Sequence, residues 1–279
     1  MQTLDLINID SSDIKYELIQ FPDGQPHIRL ANALSILDEC CIISRYSNPS
    51  DYFRIAFSVD ALRRSGCINI HLIITYMMGA RMDRVMLSGE PLSIKVIADA
   101  LNILNFRSIK VFDPHSDVTC AVLHQASPIS NIELVRKSLE HFREKYSNEV
   151  TLIAPDAGAA KKTNKVAEVL GISNIVECSK KRNLKDGKLS GFKVNTETLE
   201  GITCFITDDI CDGGGTFIGI AKELKNLKAD KVVLVVSHGI FSKGYNLENI
   251  DYVYTTNSYR ELIDLPSNYI SFNVKEFCC

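Results

Sequence analysis

The chain has 279 residues, 46% of them hydrophobic, and a formal net charge of −3. That is enough apolar material for one large or two medium domains, and the near-neutral balance argues against the basic field that nucleic acid requires. No segment reaches the ~20 apolar residues of a membrane span, and nine scattered cysteines without paired CxxC spacing read as reduced thiols rather than a zinc site.

The N-terminal MQTLDLINIDSSD has neither a basic region nor a long apolar run, so a cytoplasmic protein is expected. FPDGQ (21–25) then reads as a Pro-Asp-Gly turn. Beyond it, short apolar runs alternate with helical patterns. CCIIS (40–44), INIHLIITY (68–76), SIKVFD (108–113), EVTLIAP (149–155), ITCFITD and DKVVLVVSH (230–238) read as buried strands. FRIAFSVDALRRSG, SIKVIADALNIL, NIELVRKSLEHFREKY, AAKKTNKVAEVLG and TFIGIAKELKNLK carry the apolar spacing of amphipathic helices. Such alternation predicts an α/β fold with parallel sheets, and it places chemistry in the loops that follow the carboxyl ends of strands. The pattern runs once before and once after the 131–146 helix. Two doubly wound domains are expected, 1–146 and 147–279, with SNE (147–149) as the hinge.

The most informative stretch is 206–219, ITDDICDGGGTFIG. An apolar strand ends in Asp208 and Asp209, and Asp212, Gly213, Gly214, Gly215 and Thr216 lead into a helix. Glycines permit positive φ and close backbone approach, and a helix N-terminus offers unpaired N–H groups to an anion. The two carboxylates are suited to accept hydrogen bonds from ribose hydroxyls or to orient hydrated magnesium. Phosphate donors beside hydroxyl acceptors suggest a sugar phosphate. The plainer alternative is a Gly-rich turn whose aspartates cap the next helix. The dinucleotide fingerprint is absent here, and GxxxxGK[ST] is absent throughout.

ITDDICDGGGT resembles the phosphoribosyl pyrophosphate (PRPP) motif, and the chain as a whole resembles the ribose-phosphate pyrophosphokinases. The resemblance runs in order through FPDGQ, VDALRR (59–64), ARMDR (80–84), SIKVIADAL (93–101), DPH (113–115), APDAGAAKK (154–162), SKKR (179–182) and SHGIFSKG (237–244). It implies two domains of the type I phosphoribosyltransferase kind and Mg²⁺-dependent transfer of diphosphate from ATP to the anomeric hydroxyl of ribose 5-phosphate. Phe21, Asp23 and Gln25 would form a flap reaching the adenine of a neighbouring subunit, so a homo-oligomer is implied. Arg81, Asp83 and Arg84 would hold ATP, and His115 and Asp156 would bind Mg²⁺ at its phosphates. Lys180 and Arg182 would stabilise the transferring diphosphate, with SKKRN (179–183) heading a mobile loop, LKDGKLSG (184–191), that closes over it. Locally, SKKR also reads as a solvated basic turn, FPDGQ as an ordinary turn, and His115 and His238 as strand-end histidines.

Some positions depart from the family. Gly213 stands where the family's loop has Thr, Met82 replaces the usual Gln, and VMLSGEP lacks the basic cluster often found there. The last strand-like segments stand close to the end of the sequence, so a trimmed form of the family's longer C-terminal portion is expected and nucleotide allostery is not carried over. Some short relatives from viruses of bacteria use ADP-ribose instead, making ADP-ribose 1-pyrophosphate for NAD resynthesis, and a roomier 213–215 loop is compatible with that acceptor. A phosphoribosyltransferase and a catalytically silent synthetase partner are the competing classes.

Overall fold

A strand buried on both faces must be apolar at nearly every position, whereas a helix over a sheet needs only one apolar stripe. The structure, a computed structural model describing residues 1–31, 38–147, 149–182 and 189–278, follows these two patterns. In chain order it contains β1 (Gln2–Asp5), a short 3-10 turn (Ile9–Ser11), β2 (Tyr16–Gln20), β3 (Pro26–Leu30), β4 (Glu39–Tyr46), α1 (Pro49–Arg64) and β5 (Asn69–Met77). There follow α2 (Ser93–Asn102), β6 (Ser108–Phe112), α3 (Asp117–Val122), β7 (Ala126–Ile129), α4 (Ile132–Arg143), β8 (Val150–Ala154) and α5 (Ala157–Leu170). The remainder is β9 (Ile175–Arg182), β10 (Leu189–Val194), β11 (Thr203–Cys211), α6 (Gly215–Asn226), β12 (Lys231–Gly239), β13 (Tyr252–Thr256), β14 (Tyr269–Phe272) and α7 (Lys275–Cys278).

Two compact units result, the first built on Met1–Ser130 and the second on Asn131–Phe277. In the first, a parallel sheet has the order β1-β4-β5-β6-β7, and β2 and β3 form a separate antiparallel hairpin. Ile55, Val59 and Leu62 of α1, and Ile94, Ala98 and Leu101 of α2, recur at helical spacing and pack into one core with Ile42, Leu72, Ile74 and Val111 of the strands. Asn48 opens α1 with a reciprocal capping box to Asp51.

The second unit has the order β10-β9-β8-β11-β12-β13-β14, parallel except for the β9–β10 pair. Alternate residues of the central strands face opposite layers. Cys204 and Ile206 join Val232, Leu234 and Val236 beneath Phe217, Ile220 and Leu224 of α6. Phe205, Val233 and Val235 face Leu134, Leu139 and Phe142 of α4 and Val166 of α5. This packing places α4 in the second unit, so the observed division falls at 130/131, sixteen residues before the expected 146/147. The residues SKKR also differ from expectation: 179–182 continue β9 and pair with β10 as a hairpin arm.

Gly219 lies where α6 crosses β10. A Cβ there would be 2.3 Å from Cε2 of Phe192, well inside contact distance. Overpacking of this kind costs about 1–3 kcal/mol, more than the ~1 kcal/mol that Ala gains over Gly within a helix. Gly219→Ala is therefore expected to lower the thermal midpoint; an unchanged midpoint would mean that Phe192 swings away freely.

Candidate active site

In the second unit β9, β8, β11 and β12 are consecutive and parallel, so their carboxyl ends lie along one edge of the sheet. The acidic end of β11 lies at the centre of that edge. Asp209 is buried, and its N–H donates to Oδ1 of Asp208 at 2.9 Å. Asp208 is half-buried by surface exposure, yet its carboxyl lies deep among packed atoms. Burial pushes that carboxyl well above the ordinary range, and the charges of Asp209 and Asp156 push in the same direction. The group is therefore poised to take a proton, a cation or hydroxyl donors.

Asp156 follows β8 and caps α5, its Oδ1 accepting from the N–H groups of Gly158 at 3.0 Å and Ala159 at 3.1 Å. Lys180 and Arg182 lie on the β9 backbone. Their side chains, and residues 183–188 of the expected loop, lie outside what the structure describes. His238, at the end of β12, is buried, with Nδ1 2.8 Å from Ser258 Oγ. Ser258 Oγ also donates to Ser237 O at 2.9 Å, an arrangement that the tautomer protonated at His238 Nδ1 satisfies. This bond anchors the ring as a strand-end group.

The glycine run after β11 is held by a second segment, the turn after β12. The N–H groups of Ile240 and Phe241 donate to Cys211 O at 2.9 and 3.1 Å, and that of Ser242 donates to Asp212 O at 3.2 Å. Ser242 Oγ donates to Asp212 Oδ1 at 2.5 Å. Gly214 precedes α6 in the left-handed region, with φ 75° and ψ −6°, and α6 has no side-chain cap. Its first N–H groups are thus left for an external acceptor or water. A Cβ at Gly214 would lie 2.3 Å from Leu247 Cδ2, whereas one at Gly215 would meet nothing within 4 Å. Thr216, half-buried, stands in the first turn of α6.

In the first unit ARMDR follows β5 and DPHS follows β6, two adjacent parallel strands. Arg84 Nε donates to Asp83 Oδ1 at 2.9 Å, with the Asp83 side chain only 7% exposed and that of Arg84 72% exposed. This guanidinium holds the Asp83 carboxyl below its ordinary range against the opposing effect of burial. Ser116 Oγ, which lacks a well-aligned hydrogen bond, and the exposed His115 act in the same direction. Asp83 thereby orients Arg84, while Arg81 is exposed beside it. FPDGQ forms the β2–β3 turn: Phe21 N–H donates to Gln25 O at 2.9 Å, Gln25 N–H donates to Asp23 Oδ1 at 3.0 Å, and Gly24 takes φ 88°. Phe21, Asp23 and Gln25 are all exposed at its tip. Among the described residues no three His, Cys, Asp or Glu side chains are grouped to hold a metal.

The model for the N-terminal domain of ribose phosphate pyrophosphokinase matches residues 6–104, and that for the phosphoribosyl transferase domain matches residues 124–270. The ribose-phosphate pyrophosphokinase of Thermococcus kodakarensis is 31% identical, over 86% of this chain and 83% of its own length. The chain belongs to the ribose-phosphate pyrophosphokinase family. That of Pyrococcus furiosus is 30% identical, over 82% of this chain and 79% of its own. The fold matches the crystal structure of phosphoribosylpyrophosphate synthetase from Mycobacterium smegmatis with a TM-score of 0.80, at 21% identity, covering 96% of this chain and 89% of that one.

Within this pyrophosphokinase fold, the second unit gathers Asp156, Asp208, Asp209 and the 212–216 loop, and the first gathers Arg81, Asp83, Arg84 and His115. Sequence reasoning missed the turn residues Ser242, Lys243 and Leu247, which shape the glycine loop from outside it. Ser242 and Lys243 lie within SHGIFSKG, of which only His238 has a reading of its own from sequence, and Leu247 lies beyond that motif. Among the described residues no helix is long and apolar enough to cross a membrane.

Proposed function

We propose that the chain transfers the β,γ-diphosphate of ATP to the C1 hydroxyl of ribose 5-phosphate, forming PRPP and releasing AMP. The observation that carries this reading is the pair of carboxylates near the carboxyl end of β11, which runs on to Cys211, followed across Asp212 and Gly213 by a glycine-opened helix without a side-chain cap. Asp208 and Asp209 accept hydrogen bonds from the ribose hydroxyls, and the N–H groups at the start of α6 hold the 5-phosphate with Thr216. Arg81 and the Asp83-oriented Arg84 bind ATP phosphate or stack on adenine. Phe21, Asp23 and Gln25 at the hairpin tip serve the adenine pocket of a second copy of the chain. Lys180 and Arg182 neutralise charge on the diphosphate as it moves, which is the main demand of phosphoryl chemistry.

Asp156 and His115 are the proposed contacts for Mg²⁺. Magnesium is commonly held by one or two carboxylates plus substrate phosphates, so few protein contacts are needed for an ion that arrives with ATP. Held there, the ion would supply charge neutralisation for the phosphates.

The test is mass-spectrometric product analysis with Mg·ATP and either ribose 5-phosphate or ADP-ribose. AMP and PRPP from ribose 5-phosphate are expected. Preference for ADP-ribose would move the protein to NAD resynthesis, and no product from either would sink the enzyme reading. Lys180→Ala is expected to reduce kcat by about a hundredfold or more with an unchanged thermal midpoint. Full activity in that variant would remove Lys180 from the chemistry.

A further inference from the structure

Gly213 has a reason to be glycine that lies outside its own backbone. It is not among the glycines with positive φ, so conformation alone does not exclude a side chain. A Cβ there would lie 3.2 Å from Cδ, 3.3 Å from Cε and 3.5 Å from Cγ of Lys243, closer than ordinary contact at its first two neighbours. The space freed by the glycine is the path of the lysine stem. It is therefore not an opening for a larger acceptor.

The base of that stem is fixed on both sides. The Cys211 and Asp212 hydrogen bonds clamp residues 240–242 to the glycine loop, and Gly244 N–H closes the turn onto Phe241 O at 3.0 Å. Leu247 from the same segment packs over Gly214. Lys243 is nevertheless exposed, and its ammonium has no ion-pair or hydrogen-bond partner among the described residues. A lysine stem confined along a backbone loses rotamer freedom, and nothing among the described residues compensates through its charge. A ligand at the loop would.

We propose that Lys243 binds the phosphoryl group esterified at C5 of the acceptor ribose, a role that rests on the sugar-phosphate reading of the 212–216 loop. The helix supplies N–H donors fixed in direction, and the lysine adds a mobile point charge with three donors. Removing Lys243 should therefore affect acceptor binding far more than ATP binding or turnover of the bound complex.

The experiment is calorimetric titration of the full chain with ribose 5-phosphate, with ADP-ribose as a second arm and ATP as the control. Lys243→Met keeps most of the stem and deletes the charge; Lys243→Arg keeps the charge. We expect the acceptor that the unmodified chain prefers to bind roughly tenfold or more weakly to Lys243→Met. It should bind near-normally to Lys243→Arg, with ATP affinity and thermal midpoint unchanged. Gly213→Ala, which displaces the stem, should weaken the acceptor in the unmodified chain and add little to Lys243→Met, the non-additivity expected of one shared interaction. Equal acceptor binding by the unmodified chain and Lys243→Met would overturn the role of Lys243 alone. Equal weakening for ATP would overturn its specificity. An unmodified chain that binds neither acceptor would overturn the sugar-phosphate reading as well.

Discussion

Asp208→Asn is expected to lower turnover by about a hundredfold or more while raising the thermal midpoint of the ligand-free protein. The two effects share one cause. Asp208 lies in a site where burial, Asp209 and Asp156 all disfavour its charged form, so its folded pKa is raised above the unfolded value. An acid shifted in that direction favours the fold below its unfolded pKa, and that contribution disappears as pH rises through the folded pKa. The midpoint gap between Asp208→Asn and the unmodified chain should therefore be small in acid and widen above the ordinary carboxylate range. A neutral amide keeps the size of the group and one acceptor oxygen, but it replaces the other with a donor and removes the charge that strengthens hydrogen bonds from ribose hydroxyls. Thermal unfolding across pH together with steady-state kinetics checks both halves. Retained turnover would remove Asp208 from acceptor binding, and a lower midpoint at neutral pH would mean that the carboxylate is compensated by a cation or donor in the free protein. Such a stability gain joined to an activity loss is the usual signature of a functional site that holds unfavourable electrostatics.

The parts of the fold legible in the sequence were those buried on two faces. β5, β11 and β12 are long apolar runs because helices or neighbouring layers cover both sides, and the helices over them display regular stripes. Short edge strands were not legible. β1 and β7 have four residues each and lie at the two ends of their sheet, where pairing on one side suffices and even Pro128 is tolerated. The unit boundary was misplaced because α4 carries its apolar stripe identically whichever neighbour it covers; only tertiary packing assigns it to the second sheet. In the candidate site, Asp208, Asp209 and the glycines were readable because a strand ending in acids before a glycine run has few structural explanations. Lys243 was not, because its meaning depends on lying against Gly213, thirty residues earlier in the chain. Asp83 was readable as part of ARMDR, but its orienting contact with Arg84 required the geometry.

Gly214→Ala is expected to be far more damaging than Gly215→Ala, although the two residues are adjacent in the same motif. At 214 the backbone is left-handed, which costs a Cβ-bearing residue about 1–2 kcal/mol, and the new methyl would fall 2.3 Å from Leu247 Cδ2. Leu247 belongs to the core beneath α6 and cannot move alone. Relief requires the 240–247 turn to shift, and that turn carries both Ser242, bound to Asp212, and Lys243, lying on Gly213. The variant should therefore lower the thermal midpoint by several degrees, at ~2–4 °C per kcal/mol for a chain of this class, and raise KM for ribose 5-phosphate by roughly tenfold or more. At 215 the backbone is not left-handed and a Cβ would enter open space. Replacing that glycine at the first helical position should stabilise the free protein by about 0.4–1 kcal/mol through the unfolded chain. Equal midpoints for the two variants would show that the turn after β12 yields without strain, and the account of how the loop is held in place would have to be abandoned.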